Sequence, residues 1–532
     1  MNILEYLRRN NVNISAPCGG NGTCGKCRVT VDGGAPLLAC RTEYVPGMRI
    51  TVQDQPDDMI VTGTEIPERA AGQSDGSAPA EHGIRDGCQE LYEAGKSGVS
   101  APAEIFPCQG RPRENGQESR GYGIAIDIGT TTIAGALCDR DRGSILASCG
   151  RINSNISFGA DVISRIKACG EGSGGRMREN LLADIRAVVF RLLQEPVPEK
   201  TEGGTSKKAV DIIALSGNTT MLHTLMGYDL SPLGKYPYKP VDIGAVEGTA
   251  GELLGIKSEE TRDSRCFVFP GASAFVGGDI ISGLYYLEGT GAGKPYALID
   301  LGTNGEMAVV TGDKIYAAST AAGPVFEGGG ISCGTGAVPG AIDHVFITEQ
   351  GRIGYSTIGG DDRIRGICGS GIIDTVSVML DNGLCDRHGT FKDERGLVIA
   401  LYPDRSKVLF TQEDMRQVQL AKGAAEAGFE ILCRTAGVDL EDIGTLYIAG
   451  GMGYAVDAAA AVNIGLVPAM LKERISAAGN TSLAGAIRFL CSREADPLKE
   501  ISGITDRCRI VELSEHPDFQ ERYMGSLDFR RP

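Results

Sequence analysis

Four cysteines stand near the start of the chain with the spacing C-x5-C-x2-C-x12-C: Cys18, Cys24, Cys27 and Cys40. An iron–sulfur cluster needs four thiolates converging on one compact core, three of them supplied by one tight loop. Four of the eleven residues from Cys18 to Arg28 are glycine, which lets such a loop curl with its N–H groups toward sulfur. The spacing is close to the plant-type C-x4-C-x2-C…C pattern of a [2Fe–2S] centre. A structural zinc site is one alternative, but it would pair its ligands as C-x2-C twice, and only Cys24 and Cys27 do so. Unligated thiols are the other. Ile3, Leu4 and Leu7 recur at helical spacing and are expected to pack against the base of the loop.

A second chemistry is written in glycine and hydroxyls. The run Ile124-Ala125-Ile126-Asp127-Ile128-Gly129-Thr130-Thr131-Thr132 is an apolar strand ending in Asp, then Gly, then three threonines. A second copy, Leu298-Ile299-Asp300-Leu301-Gly302-Thr303-Asn304-Gly305-Glu306, follows 173 positions later. A strand, a tight Gly turn and a returning strand place backbone N–H groups around a phosphate tail. An Asp at the strand end can hold Mg²⁺ through water or orient an attacking water. A third strand enters a Gly turn at Leu446-Tyr447-Ile448-Ala449-Gly450-Gly451-Met452-Gly453. Each element alone is a common strand-end turn; all three in this order are much more specific.

These loops need a scaffold, and the composition offers one. The chain has 532 residues with 75 Gly, 16 Cys and a formal net charge of −16. The glycine content is roughly twice average usage. The acidic balance argues against nucleic acid as a partner, since phosphate backbones attract basic faces. No run of 18 apolar residues occurs, so no membrane span is expected. The first thirteen residues, MNILEYLRRNNVN, lack the features of a secretory signal, and the cysteines are too sparse for a disulfide scaffold. A cytoplasmic protein with reduced thiols is expected. Residues 1–55 form the cysteine block and 56–118 a flexible linker. The linker is rich in Gly, Ser, Pro and Ala over 62–118, with a short helix expected around Gln89–Ala94. Beyond it, β-type runs at Tyr122–Ile128, Ala209–Ser216, Ala297–Leu301, Met307–Thr311 and Thr445–Ala449 alternate with helical stretches. The alternation predicts an α/β fold whose length suits two lobes, 119–295 and 296–532.

The three Gly loops resemble the first and second phosphate motifs and the adenosine motif of the actin/Hsp70/sugar-kinase (ASKHA) superfamily. Further landmarks are Ser216–Met221 (SGNTTM), Phe275–Asp279 (FVGGD) and Gly323–Gly328 (GPVFEG). Together with the cysteine block they resemble the reductive activators of corrinoid proteins, which join a [2Fe–2S] ferredoxin to an actin-like ATPase. The resemblance spans the cysteine block and nearly everything from Gly121 to about Ala486, leaving out the linker. Such ferredoxin domains open with a β-hairpin before a helix that Ile3–Arg9 resembles. Here the chain begins at that helix, which implies either a trimmed domain with a more exposed, labile cluster or a start upstream.

What the resemblance implies is a repair reaction. A corrinoid protein of a methyltransferase system loses Co(I) to oxidation, and the activator returns one electron to the inert Co(II) with the help of ATP. Plant-type clusters sit near about −400 mV, and the Co(II)/Co(I) couple is expected lower. About 59 mV is tenfold in a one-electron equilibrium, so coupling to ATP is needed. In this scheme Cys18, Cys24, Cys27 and Cys40 ligate the cluster. Asp127 and Asp300 place Mg²⁺ and the attacking water. Gly129, Thr130, Thr131 and Thr132, with Gly302, Thr303 and Asn304, cradle the phosphates. Gly450, Gly451 and Gly453 lie beneath the adenosine. Glu327 is a candidate general base, with a solvated or helix-capping carboxylate as the alternative, and Asn218 a candidate nucleotide contact. The partners implied are a corrinoid protein and an external low-potential electron donor, with a homodimer formed through the actin-like part. The chain is expected to bind no corrinoid itself: Asp386-Arg387-His388 begins like a cobalamin motif, but position 391 is Phe where Gly is required. Cys333 and Cys368 are expected to be packed thiols. A small-molecule kinase with a redox-sensing ferredoxin appendage is the main competing function. Activators of radical dehydratases and a non-enzymatic electron carrier are weaker ones.

Overall fold

The computed structural model describes residues 1–9, 14, 27–34, 36–52, 121–195, 210–360, 363–402, 406–450, 456–493 and 496–529. Cys18, Cys24, the expected linker with its short helix, Gly451 and Gly453 lie outside the described residues.

At the N-terminus, helix α1 (Ile3–Arg9) begins at Asn2, whose Oδ1 accepts the Glu5 N–H at 2.9 Å while Glu5 reaches back to the Asn2 N–H at 3.3 Å. Its apolar face, Ile3, Leu4 and Leu7, packs on a three-stranded antiparallel sheet of β1 (Arg28–Val31), β2 (Leu37–Leu38) and β3 (Ile50–Val52) in the order β2-β1-β3. Cys27 and Cys40 are buried in this same small core, and the Cys27 carbonyl accepts the Ala39 N–H at 2.7 Å.

The remainder is built on two six-stranded sheets. The first holds β4 (Tyr122–Ile128), β5 (Thr132–Asp139), β6 (Ser144–Ile152), β7 (Val210–Gly217), β8 (Val246–Thr249) and β9 (Arg265–Val268), in the order β6-β5-β4-β7-β9-β8. Strand β4 is antiparallel to β5 and parallel to β7. It is an almost unbroken apolar run because both of its faces are covered. One face packs on α3 (Gly174–Gln194) through Leu181, Ile185, Val188 and Leu192. Between β6 and α3 lies α2 (Val162–Ala168), opened by Asp161, whose Oδ1 accepts the Ser164 N–H at 2.7 Å. After β7 comes α4 (Thr219–Met226), and after β9 comes α5 (Gly278–Gly289).

The second sheet repeats this plan. Strands β10 (Tyr296–Leu301), β11 (Gly305–Val310) and β12 (Ile315–Thr320) form an antiparallel meander. An insertion follows, with one small three-stranded sheet of β13 (Ala341–Ile347), β14 (Ile353–Thr357) and β15 (Gly366–Ile367), then helix α6 (Gly369–Asp381). The pair β16 (Leu397–Leu401) and β17 (Lys407–Phe410) and helix α7 (Gln412–Ala436) complete it. The chain then returns as β18 (Thr445–Ala449), parallel to β10, and β19 (Ile475–Gly479), parallel to β18. The C-terminal β20 (Cys508–Ile510) closes the far edge, giving the order β19-β18-β10-β11-β12-β20.

Helix α8 (Thr481–Cys491) leaves β19 but packs on the first sheet. Leu483, Ile487 and Leu490 of α8 join Ile280 and Leu284 of α5, Ala125 and Ile212 of the first sheet and Leu298 and Val310 of the second in one core. Both lobes therefore share the apolar layer between them. No helix among the described residues is long and apolar enough to cross a membrane.

Candidate functional site: a cleft between two Asp-Gly loops

The duplicated plan brings two equivalent strand ends face to face. Asp127 lies near the end of β4 and Asp300 near the end of β10, each one residue before the strand's last. Both line a cleft of about 1070 Å³ that opens to solvent. Gly129, Thr130, Thr131, Thr132, Asn218, Gly302, Thr303, Asn304, Glu327 and Gly450 line the same cleft. The cysteines Cys27 and Cys40 belong to the N-terminal core instead. Cys333 and Cys368 are buried.

Local backbone explains why these turns are glycine. The Gly129 N–H bonds the Thr132 carbonyl at 2.9 Å, and a Cβ on Gly129 would lie 2.4 Å from that oxygen. Gly450 has φ of +108°, and a Cβ there would stand 2.6 Å from the Leu301 carbonyl and 3.1 Å from Asp300 Oδ1. The adenosine-type turn and the second Asp are thus in direct apposition.

The carboxylates are the main electrostatic feature. Asp127 accepts Asn480 Nδ2 at 2.8 Å and Ser482 Oγ at 2.7 Å. Burial pushes its pKa up, and these two donated bonds pull against that shift. Asp300 accepts no hydrogen bond among the described residues. Burial, then the neighbouring Asp279, Asp127 and Glu327 charges, holds it well above the ordinary carboxylate range. Asp279, in the first turn of α5, is pushed up to about 7, chiefly by burial. Glu306 is also driven well upward by burial and by Asp279 and Asp300, with Asn304 Nδ2 donating to it at 3.0 Å. Glu327 ends a short 3-10 turn, Pro324–Glu327, and its Oε2 accepts Thr303 Oγ1 at 2.5 Å and Thr131 Oγ1 at 3.1 Å. One carboxylate oxygen therefore links the two phosphate-type loops. Burial raises Glu327, while the two threonines and Arg165 oppose the rise.

Asn218 caps α4 through Oδ1, which accepts the Met221 N–H at 3.0 Å, and its Nδ2 donates to Thr130 Oγ1 at 2.9 Å. Its amide fixes the first loop as it lines the cleft. Sequence reasoning assigned no role to Asn153, Arg165, Asp279, Glu306, Asn480 or Ser482. Asp279 and Glu306 were at least inside quoted motifs; the others carry no local signal. Asp127, Asp279, Asp300, Glu306 and Glu327 line the cleft with no Lys, Arg or His in the described lining, and no group of three or more described His, Cys, Asp or Glu side chains is arranged to hold a metal ion. The hydroxyls and backbone turns beside them suit phosphate.

The comparisons with known proteins follow this geometry. Residues 1–51 match the 2Fe-2S iron-sulfur cluster binding domain, 122–289 the RACo middle region, and 294–531 the C-terminal domain of RACo, the ASKHA domain. The corrinoid activation enzyme RamQ of Eubacterium limosum is 33% identical over 444 residues, covering 78% of this chain and 71% of the relative. This chain belongs to the family of reductive activators of corrinoid proteins. A reductase of a methylated amine-specific Co(II) corrinoid protein from Methanosarcina barkeri is 26% identical over 438 residues, covering 77% of each chain. A solved reductive activator for a corrinoid, iron-sulfur protein superposes with a TM-score of 0.69 at 28% identity, over 100% of this chain and 96% of that one. The fold is that of a two-lobed ASKHA protein preceded by a ferredoxin-type domain, as the sequence motifs predict.

Proposed function

We propose that this protein activates a corrinoid protein reductively, using ATP to return one electron to inactive Co(II) and restore Co(I) for a methyltransferase. The observation that supports this most is the presence, on one family-matched chain, of a 2Fe–2S domain and a cleft where two Asp-Gly loops face each other. The [2Fe–2S] cluster supplies one-electron transfer when bound. Cys18, Cys24, Cys27 and Cys40 would hold it, and Cys27 and Cys40 already share a buried core, as a water-shielded cluster requires. An external low-potential donor reloads it.

In the cleft, the turns Gly129–Thr132 and Gly302–Asn304 receive the phosphates, and Gly450, Gly451 and Gly453 underlie the adenosine. Asp300 and Asp127 hold Mg²⁺ and orient the attacking water. Asp127 is kept in place by Asn480 and Ser482, so its orientation is set before nucleotide arrives. Glu327 takes the proton of that water. Its Oε2 is occupied by the two threonines, and Oε1 accepts no hydrogen bond among the described residues, which leaves one oxygen for a base. Lobe closure around ATP links hydrolysis to the partner only if nucleotide binds the two lobe arrangements with different affinity. We place the protein in the cytoplasm as a homodimer; Cys27, Cys169, Cys266, Cys368, Cys385, Cys433 and Cys508 are free thiols, which suits a reducing compartment.

ATP turnover measured with and without a Co(II) corrinoid protein tests the reading. Corrinoid-stimulated hydrolysis with formation of Co(I) is expected; consumption of ATP only with a small metabolite would point to a kinase instead. In the same assay Cys24→Ser is expected to lose the cluster spectrum and the electron transfer while still binding nucleotide.

A further inference from the structure

A nucleotide carries several negative charges, yet the described lining of the cleft holds five carboxyls and no cationic side chain. The nearest answer lies behind the first loop. Arg165 on α2 is fully buried, at 0% exposure. Its Nη2 donates to the Thr130 carbonyl at 2.5 Å and its Nε to the Gly159 carbonyl at 3.0 Å, while Nη1 lies 3.1 Å from Met221 Sδ. Asn153, also buried, donates Nδ2 to the Gly129 carbonyl at 2.9 Å and its backbone N–H to the Thr131 carbonyl at 2.9 Å.

Three successive carbonyls of the loop are therefore held by the body of the lobe. In a trans peptide the N–H points opposite its C=O, so pinning these oxygens inward turns the following N–H groups outward. The Thr130 and Thr131 N–H groups donate no hydrogen bond among the described residues, and both residues line the cleft. Two free amides in a cleft are acceptor-seeking groups, and phosphate oxygen is the matching acceptor. Arg165 is also close enough to Glu327 for their charges to act on each other. Burial brings its pKa down to about 10, which still leaves it charged at neutral pH.

We propose that Arg165 is the positioning residue of the phosphate site: by holding the Thr130 carbonyl, beside the two carbonyls that Asn153 holds, it keeps the first loop's amides toward the nucleotide and places behind them the positive charge that the lining lacks. This rests on the nucleotide reading above. Arginine suits the task because its planar fork holds two carbonyls at once, while lysine keeps the charge but not the fork.

The test uses the full chain with its cluster and compares wild type, Arg165→Met and Arg165→Lys for binding of Mg-ATP, Mg-ADP and adenosine by calorimetry. Arg165→Met should weaken both nucleotides on the order of tenfold or more and leave adenosine unchanged, with Arg165→Lys between it and wild type. Unchanged ATP affinity in the Met variant, or an equal loss for adenosine and ATP, would overturn the assignment. If Arg165→Met does not fold, Arg165→Lys decides: a loss confined to the phosphorylated ligands supports the role, and wild-type affinity for all three removes it. A wild-type protein that binds no ATP would overturn the nucleotide reading itself, an outcome distinct from any variant effect.

Discussion

The two Asp-Gly loops begin alike and are supported differently. Strands β4 and β10 hold the same place in sheets of the same plan, each with an antiparallel neighbour on one side and a parallel one on the other. Asp127 accepts two side-chain donors from the start of α8, and the loop after it is pinned from behind by Arg165 and Asn153. Asp300 accepts none among the described residues, and its loop is braced mainly by its own atoms, Gly302 N–H to the Asn304 carbonyl at 3.1 Å. Two strand ends of like pairing thus differ in their surroundings: one carboxylate is held by donors, and the other is buried without side-chain donors among the described residues. A carboxylate with donors in place is stabilised as the anion; one left bare in a buried acidic cluster is driven toward its neutral form until a cation arrives.

That contrast can be broken most directly at Asp300. Asp300→Asn should keep the cluster spectrum and, if the proposed nucleotide chemistry holds, lose ATP-coupled activation by roughly a hundredfold or more. Asp127→Asn should cost less under the same steady-state assay. Equal losses would show that the two loops are interchangeable, a reversed order that Asp127 is the more critical carboxylate, and an unchanged Co(I) yield in Asp300→Asn would make the second loop purely structural.

A smaller effect sharpens the other side. Asn480→Ala combined with Ser482→Ala removes both donors to Asp127, and hydrogen bonds to the charged form are what lower a carboxyl pKa. The pKa of Asp127 should therefore rise further, and the acid limb of the pH–rate profile should move to higher pH. A profile that does not move would mean that these two donors do not set the charge state of Asp127.

The smallest effect concerns stability. Burial pushes Asp279 up to about 7 in the folded chain from an ordinary value of 3.8, so between those limits the folded state is expected to bind more protons than the unfolded one. Stability should fall as pH rises through that window and level off above it. Without divalent cations, Tm should drop by several degrees from pH 5 to pH 8; Asp279→Asn should flatten the slope. A wild-type Tm that rises over this range would mean that the folded chain does not hold Asp279 protonated.

Much of this site could be read from the sequence because its motifs are local. The expected runs Tyr122–Ile128 and Thr445–Ala449 are the observed β4 and β18, and three Gly turns at strand ends identify a phosphate-binding family without knowledge of the sheet order. What supports those turns was not legible. Arg165 sits in VISRIKA, where a basic residue on a short helix reads as a solvated face. Only the packing of α2 under the first loop shows it to be buried. Asn480 lies 353 residues from Asp127, and no periodicity links the two. Glu327 was visible as a carboxylate on a Gly-rich loop, but its link between Thr131 and Thr303 depends on how the lobes meet.

The placement of α8 bears on how the protein is made. Synthesis runs from the N-terminus, and domains tend to fold as they emerge. Here the first lobe cannot finish in that order. The face of its sheet that carries Ala125, Ile212 and Phe267 receives Leu483, Ile487, Phe489 and Leu490 only after almost the whole chain has left the ribosome. Until then a broad apolar surface of the early lobe stays uncovered. A product stopped short of residue 481 would lack the apolar side chains that α8 contributes to the core shared by both lobes.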